Sequence, residues 1–336
     1  MAENTDQIEK SFSTVGLILR GMCMGMAEVI PGVSGGTIAF ITGIYKTLID
    51  SIKSIDKSLI SNLLKFRIKE VWTQLNGGFL IRLVVGMLIG IIVGVFGITH
   101  LLESYPQLLW SLFFGLILAS IPLMFSQMHR FSWSYILPFA IGATIAYGVT
   151  SISPVSGSES YLYIFFAGTI AISAFVLPGI SGSFMLLILG LYTLIIPTLR
   201  SFLSSPELSE FILLAVFGLG CLTGLAVFSR IVSFAFEKYH DITIAVMSGF
   251  MLGSLNKIWP WRVPVTFLDK ETQEIVDFDT SIHPVTMIFS DDIKILTEKN
   301  VLPADYFFQT NVMGAVIAFV FGLLIIYLLY RFQKRG

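Results

Sequence analysis

Two short runs carry residue types able to hold an anion within an otherwise apolar chain. The first reads Pro31-Gly32-Val33-Ser34-Gly35-Gly36-Thr37 and is closed by Gly43-Ile44-Tyr45. The second reads Pro178-Gly179-Ile180-Ser181-Gly182-Ser183-Phe184 and is closed by Gly190-Leu191-Tyr192, displaced by 147 positions. Pro31, Gly32, Pro178 and Gly179 are the structural breakers, because proline and glycine interrupt a helix most strongly at its middle. A helix restarting after such a break offers unpaired N–H groups and a partial positive charge. Glycine lets a ligand approach that backbone, and serine or threonine adds hydroxyl donors. Ser34, Gly35, Gly36, Thr37, Ser181, Gly182 and Ser183 are therefore candidate anion-binding residues, with phosphate the best match. The competing reading is a Pro-Gly hairpin turn with no ligand. A plain turn does not require Ser-Gly at matching positions twice.

Arg20 and Glu28 complete the candidate substrate-binding set. They stand eight residues apart, near one helical face, just before the first breaker. An ionised group at membrane depth costs on the order of 3 kcal/mol on insertion scales and commonly marks a pathway. Arg20 could neutralise a phosphate; its plainer role is a structural ion pair or an anchor reaching the interface. Glu28 could take up a proton, pair with a cation or repel an anion until protonated. The second half has Ala167 and Phe175 at these positions, so the charge is one-sided. Arg82, Arg200 and Arg230 lie near segment ends and read as interface anchors.

The elements that must position these residues are membrane segments. The 336 residues are 55% hydrophobic and 13% charged, with mean hydropathy +0.83, too little polar surface for a soluble domain. Several apolar runs approach the roughly 18 residues that span a bilayer. Segments 15–30 and 37–52 are short and flank the first breaker, as 161–177 and 184–199 flank the second. Each pair fits a re-entrant hairpin, with two tilted crossings as the alternative. Three spans follow each hairpin, at 79–97, 108–125 and 135–150, then at 211–229, 242–255 and 312–330. Gly86, Gly90 and Gly94 recur every four residues, a spacing that suits close helix packing. The expected fold is an all-α polytopic membrane protein of two inverted repeats, at 14–155 and 160–336, behind a polar tail at 1–13. That tail lacks a basic n-region and does not read as a cleaved signal peptide.

Loop charge sets the expected orientation. Residues 46–70 hold six Lys/Arg against three acids, and Arg331, Lys334 and Arg335 follow the last span; both places read as cytoplasmic. The amino terminus reads as cytoplasmic as well. An insert at about 258–310 is acidic and reads as extracytoplasmic. Its segments 265–268 and 274–278 flank a polar turn and predict a β-hairpin of no assigned chemistry. Counted this way, the two hairpins enter from opposite sides, which would place a site where the repeats meet.

Other chemistries fit poorly. Gly32-Val33-Ser34-Gly35 and Gly179-Ile180-Ser181-Gly182 match the Gly-x-Ser-Gly of rhomboid-type intramembrane proteases. That chemistry needs a histidine base within reach of the serine, but His100, His129, His240 and His283 all fall in expected loops, and four residues of motif are a weak signal. No lysine follows the glycines as in a P-loop. Cys23 and Cys221 sit in apolar segments, which indicates neither a disulfide framework nor a metal cage. No cofactor, metal or nucleic-acid partner is expected, and the oligomeric state is left open.

Arg20-Gly21, then Gly25-Met26-Ala27-Glu28-Val29-Ile30 running into the first breaker, with Leu177 before the second, resembles the PopT family of polyprenyl-phosphate transporters. The resemblance covers nearly all the membrane chain. That family often has Lys and Asp where this chain has Arg20 and Glu28, and the acidic insert is outside its pattern. The resemblance implies a flippase in the bacterial cytoplasmic (inner) membrane that recycles undecaprenyl phosphate, the lipid carrier of wall synthesis, from the outer to the inner leaflet. The phosphate would sit at the two hairpin tips, with Glu28 coupling protons to movement. The alternatives are a secondary transporter of a small soluble anion and a membrane scaffold for another wall enzyme.

Overall fold

The structure, a computed structural model, describes residues 13–29, 33–152, 157–269, 275–278, 293–306 and 310–333. Pro31, Gly32 and most of the amino-terminal tail lie outside the described residues. The first hairpin is α1 (Thr14–Val29) and the short α2 (Gly35–Ile41), followed by α3 (Tyr45–Lys53). Gly43, at φ 75°, makes the turn between the last two; a side chain there would be strained. The basic stretch that follows forms two small helices, α4 (Lys57–Leu64) and α5 (Ile68–Gln74), where a polar loop was expected. Asp56 caps α4, and the hydroxyl of Ser58 with the amides of Leu59 and Ser58 holds its carboxyl down at about 2.

Next come α6 (Gly77–Val93), which runs into a π-helical turn at Gly94–Ile98, then α7 (Thr99–Ser104), α8 (Pro106–Phe125) and α9 (Ile136–Ser151). The second half opens with α10 (Tyr161–Val176), α11 (Gly182–Ile188) and α12 (Tyr192–Ser204). These starts repeat α1, α2 and α3 at the same displacement of 147 positions as the motifs. The turn glycine Gly190 repeats the left-handed backbone of Gly43, at φ 67°. A 31-residue helix α13 (Leu208–Lys238) and α14 (His240–Ser254) follow, and α15 (Val312–Gln333) ends the described chain. The expected loop from Arg230 onward is instead the last two turns of α13. The Arg230 guanidinium bonds the carbonyls of Ala226 in its own helix and Ile55 after α3.

Among the described residues, four stretches are long and apolar enough to cross a bilayer: Gly77–Gly97, Pro106–Phe125, Trp133–Ser151 and Leu208–Lys238. Shorter apolar helices occupy Tyr161–Val176 and Val312–Leu328. The insert departs from an all-α chain. β1 (Arg262–Asp269) pairs antiparallel with β2 (Ile275–Asp277) in the expected hairpin, Leu268 opposite Ile275. A further strand, β3 (Ile293–Asn300), pairs on the other edge of β1, giving the order β2-β1-β3.

Glycines determine how the long helices pack. Gly21 and Gly25 of α1 face Gly86 and Gly90 of α6 so closely that a Cβ on any of them would collide with backbone of the facing helix. Gly220 and Gly224 of α13 meet α10 in the same way. The remaining long helices pair across the halves: Gly115 of α8 lies against Phe319 of α15, and Gly249 of α14 against Phe139 of α9. Each half thus lends a helix to the other. Close backbone approach replaces the hydrophobic drive that lipid removes.

Candidate functional site

The two breakers meet. α2 begins at Ser34, whose hydroxyl accepts from the Gly36 amide at 3.1 Å and so caps the helix. The same hydroxyl donates to the carbonyl of Leu177 at 3.2 Å, in the second breaker. Thr37, fully buried, accepts the Gly179 N–H on its Oγ1 at 2.8 Å. Tyr45 donates its hydroxyl to the carbonyl of Val176 at 3.0 Å. The last carbonyls of α10 have no partners inside their own helix. Tyr45 supplies one to Val176, the last residue of α10, and Ser34 one to Leu177, its C-cap.

Two glycines make this contact possible. A Cβ on Gly36 would stand 2.8 Å from the Val176 carbonyl and 3.0 Å from that of Phe175. Gly179 adopts φ +85°, and a Cβ there would stand 2.8 Å from the backbone of Phe250 and 2.9 Å from that of Met251 in α14. Tertiary packing and backbone conformation both require glycine at this position.

Glu28 closes the first tip. Its Oε1 accepts the Gly35 N–H at 2.6 Å, a short bond at the start of α2. A Cβ on Gly35 would approach that oxygen to 2.7 Å. The carboxylate therefore sits where the N-terminus of α2 would otherwise offer its amide to an anion. Arg20 lies elsewhere. Eight residues of helix separate it from Glu28, about 12 Å along the axis, and its Nε donates to the Thr42 carbonyl at the far end of α2, at 3.2 Å. The structure brings Glu28, Ser34, Gly35, Gly36 and Thr37 together and sets Arg20 at the base of the hairpin.

The second tip differs. Ser181 caps α11 by accepting from Phe184, and its hydroxyl pairs with that of Ser183 at 2.9 Å. Gly182 packs against the Ala171 carbonyl of α10. Phe175 stands where Glu28 stands in the first half. Pro178 begins the turn between the two helices, while Pro31 and Gly32 lie outside the described residues.

Tyr45 is the contact that sequence reasoning missed, although it sits in the repeated Gly-Ile-Tyr run. The repetition was the available signal; what the hydroxyl reaches is 131 positions away and gave none. One cluster falls outside the tips. His129 and His240 both direct Nδ1 at Asp241 Oδ1, at 3.1 and 2.9 Å, and the ligand-capable atoms lie within 4.8 Å of one another. The amides of His129 and Arg130 also bond the Asp241 carboxylate, so it ties the loop after α8 to the start of α14.

A membrane protein with two like-sequenced broken helices hydrogen-bonded to each other has the build of a transporter, in which discontinuous helices form the substrate site. Its relatives define the class further. Residues 24–276 match the family described as undecaprenyl phosphate translocase-like, and the chain belongs to it. A polyprenyl-phosphate transporter of Vibrio cholerae serotype O1 is 36% identical over 315 residues, 94% of this chain and 97% of the relative. A polyprenyl-phosphate transporter of Staphylococcus aureus is 32% identical over 257 residues, 72% of this chain and 85% of the relative. No solved structure matches the chain. The family is one of transporters rather than enzymes.

Proposed function

We propose that this protein carries polyprenyl phosphate across the bacterial cytoplasmic membrane, from the outer to the inner leaflet, with the phosphate at the hairpin joint and the polyprenyl tail in lipid. The observation that supports this reading best is the direct bond between the breakers, Gly179 N–H to Thr37 Oγ1 at 2.8 Å. Two hairpins entering from opposite sides, the arrangement read from loop charge, would meet in this way near the midplane. The relatives of Vibrio cholerae and Staphylococcus aureus bear the name of polyprenyl-phosphate transporter over most of their length. Both termini are cytoplasmic in this arrangement and the β-insert faces out.

Glu28 is the coupling group. Its carboxylate holds the Gly35 N–H that a phosphate oxygen would take. Two anions cannot share one amide in a dry site, so phosphate binding requires Glu28 to leave or to be neutralised. A protonated carboxyl is the weaker acceptor and releases the N–H. Proton uptake at Glu28 thereby opens the first tip, and proton loss on the other side expels the phosphate. Ser34, Gly36 and Thr37 loosen from Leu177, Val176 and Gly179 as the halves rock, and Ser181, Gly182 and Ser183 receive the phosphate at the second tip. Arg20 holds the base of the first hairpin and offers a cation along the exit path.

Transport by the purified protein in liposomes, with an imposed proton gradient, tests the reading. Labelled polyprenyl phosphate should change leaflets faster when the gradient is present. Transport of inorganic phosphate with no movement of the lipid would establish the soluble-anion alternative instead.

A further inference from the structure

A cavity of about 470 Å³ lies between the β-insert and the end of α9, with Phe184 of the second hairpin in its wall. Its wall is richer in cations than the acidic insert as a whole. Lys257, Arg262 and Lys299 line it, against the carboxylate of Glu298. Arg262 holds Glu298 Oε2 at 2.8 Å, and Lys257 reaches the same oxygen only at 3.8 Å. Both cations are largely withdrawn from solvent, with side-chain exposures of 17% for Lys257 and 8% for Arg262. Burial holds the Lys257 ammonium below the usual lysine value, and the attraction of Glu298 only partly offsets it.

Aromatic rings fix these charges in place. The Arg262 guanidinium lies 4.2 Å from the ring of Trp110 at the start of α8. The Lys257 ammonium lies 4.9 Å from the ring of Phe184, the residue directly after Ser183 at the second tip. Such contacts orient a cation without neutralising it. One carboxylate therefore serves two buried cations, with a third cation at the rim. Asn256 and Asn300, bonded to each other at 2.8 Å, add amide groups to the same wall. Buried charge is costly unless it is paired, and this excess of positive charge suits a dianion.

We propose that this cavity is a second anion site, which takes a phosphomonoester headgroup before it reaches the second tip. Lys257 and Lys299 hold the phosphate, Arg262 forms the fixed wall, and Glu298 keeps the two buried cations together when no anion is bound. The assignment rests on the transport reading for its lipid source and on the cavity alone for its anion chemistry. The insert then has a role in transport, since it builds a cationic pocket at the point where an outer-leaflet headgroup meets the hairpin.

The test is binding to the full-length protein in nanodiscs, read from the fluorescence of Trp110, Trp259 and Trp261 around the insert. Two probes are titrated: inorganic phosphate, and polyprenyl phosphate in the disc lipid. Lys257→Gln and the rim variant Lys299→Gln should each weaken binding of at least one probe by about tenfold or more. Lys257→Arg should restore it, and Glu298→Gln should tighten it several-fold. Lys299 is exposed, so its variant tests the site without risk to folding. Unchanged affinity in both glutamine variants would overturn the proposal. A loss seen with the lipid identifies the headgroup as the occupant, and a loss confined to inorganic phosphate identifies a soluble anion. If the wild-type protein moves no lipid but the lysine variants still lose phosphate, the transport reading fails and the anion site stands.

Discussion

The two hairpins share a sequence pattern, a helix order and a spacing, yet their tips are wired differently. In the first, Ser34, Thr37 and Tyr45 reach outward to the backbone of the second, and Glu28 caps the restarted helix with a carboxylate. In the second, Ser181 and Ser183 bond each other, and phenylalanines stand at the positions of Glu28 and Thr37. Repetition supplies the same backbone break twice. The side chains that differ between copies then divide the work: one tip carries charge and the clasp, the other carries hydroxyls in a partly apolar setting.

Variants that alter one tip and spare the other test this division, and loss of the Glu28 charge should do the most damage. Replacing Glu28 by Gln keeps an oxygen acceptor for Gly35 and removes the titrating charge. Transport should fall by roughly 10-fold, the difference between a hydrogen bond to a charged acceptor and one to a neutral acceptor, and lose its response to a proton gradient. Phe175→Leu at the matching position should leave the gradient response intact. Equal losses in both would end the idea that charge belongs to one tip.

The clasp comes next. Thr37→Val leaves the buried Gly179 N–H without an acceptor and should cost about 1–3 kcal/mol, seen as earlier thermal unfolding in detergent. Thr37→Ser should recover most of that loss, which a packing defect alone would not. Gly36→Ala tests the same contact by sterics. Its methyl would press on the carbonyls of Val176 and Phe175, so destabilisation of about 1–3 kcal/mol is expected from overpacking. A stable, active Gly36→Ala protein would mean that the hairpins are held less closely than the geometry requires.

The caps should differ by less. Ser181→Ala removes an ordinary cap and should cost about 1 kcal/mol. Ser34→Ala removes a cap and a bond to Leu177, so it should cost about 1 kcal/mol more. Identical melting shifts for the two variants would show that the Ser34–Leu177 bond adds nothing in the membrane.

Much of the architecture was legible because membrane helices announce themselves by length and hydropathy, and breakers by proline and glycine. The recurrence at 147 positions anticipated the matching starts of α1 and α10, α2 and α11, and α3 and α12. The Gly86-Gly90 stripe read as a packing face, and it is one. The hairpin of β1 and β2 was visible as two β-prone runs about a turn. β3 was not, since its pairing with β1 spans a long stretch of chain and depends on register rather than on any local signal. The end of α13 was also misjudged: the charges from Arg230 onward suggested a loop, but Arg230 finds partners in Ala226 and Ile55 that allow the helix to continue.

Three properties follow from the linear chain: it lives in a membrane, it breaks two helices with the same residues, and its first break alone carries acid and base. They depend on composition and local backbone preference, which need no knowledge of the fold. What each residue touches follows only from the folded molecule. Folding put Glu28 on the Gly35 amide and Arg20 on the Thr42 carbonyl at the far end of α2, although the two stand near one helical face. It turned Thr37 and Ser34 toward the other half, and it gathered Lys257 and Arg262 into a cavity under an acidic insert. Such outcomes depend on which backbones approach closely, and that is set by glycine contacts between helices far apart in the chain.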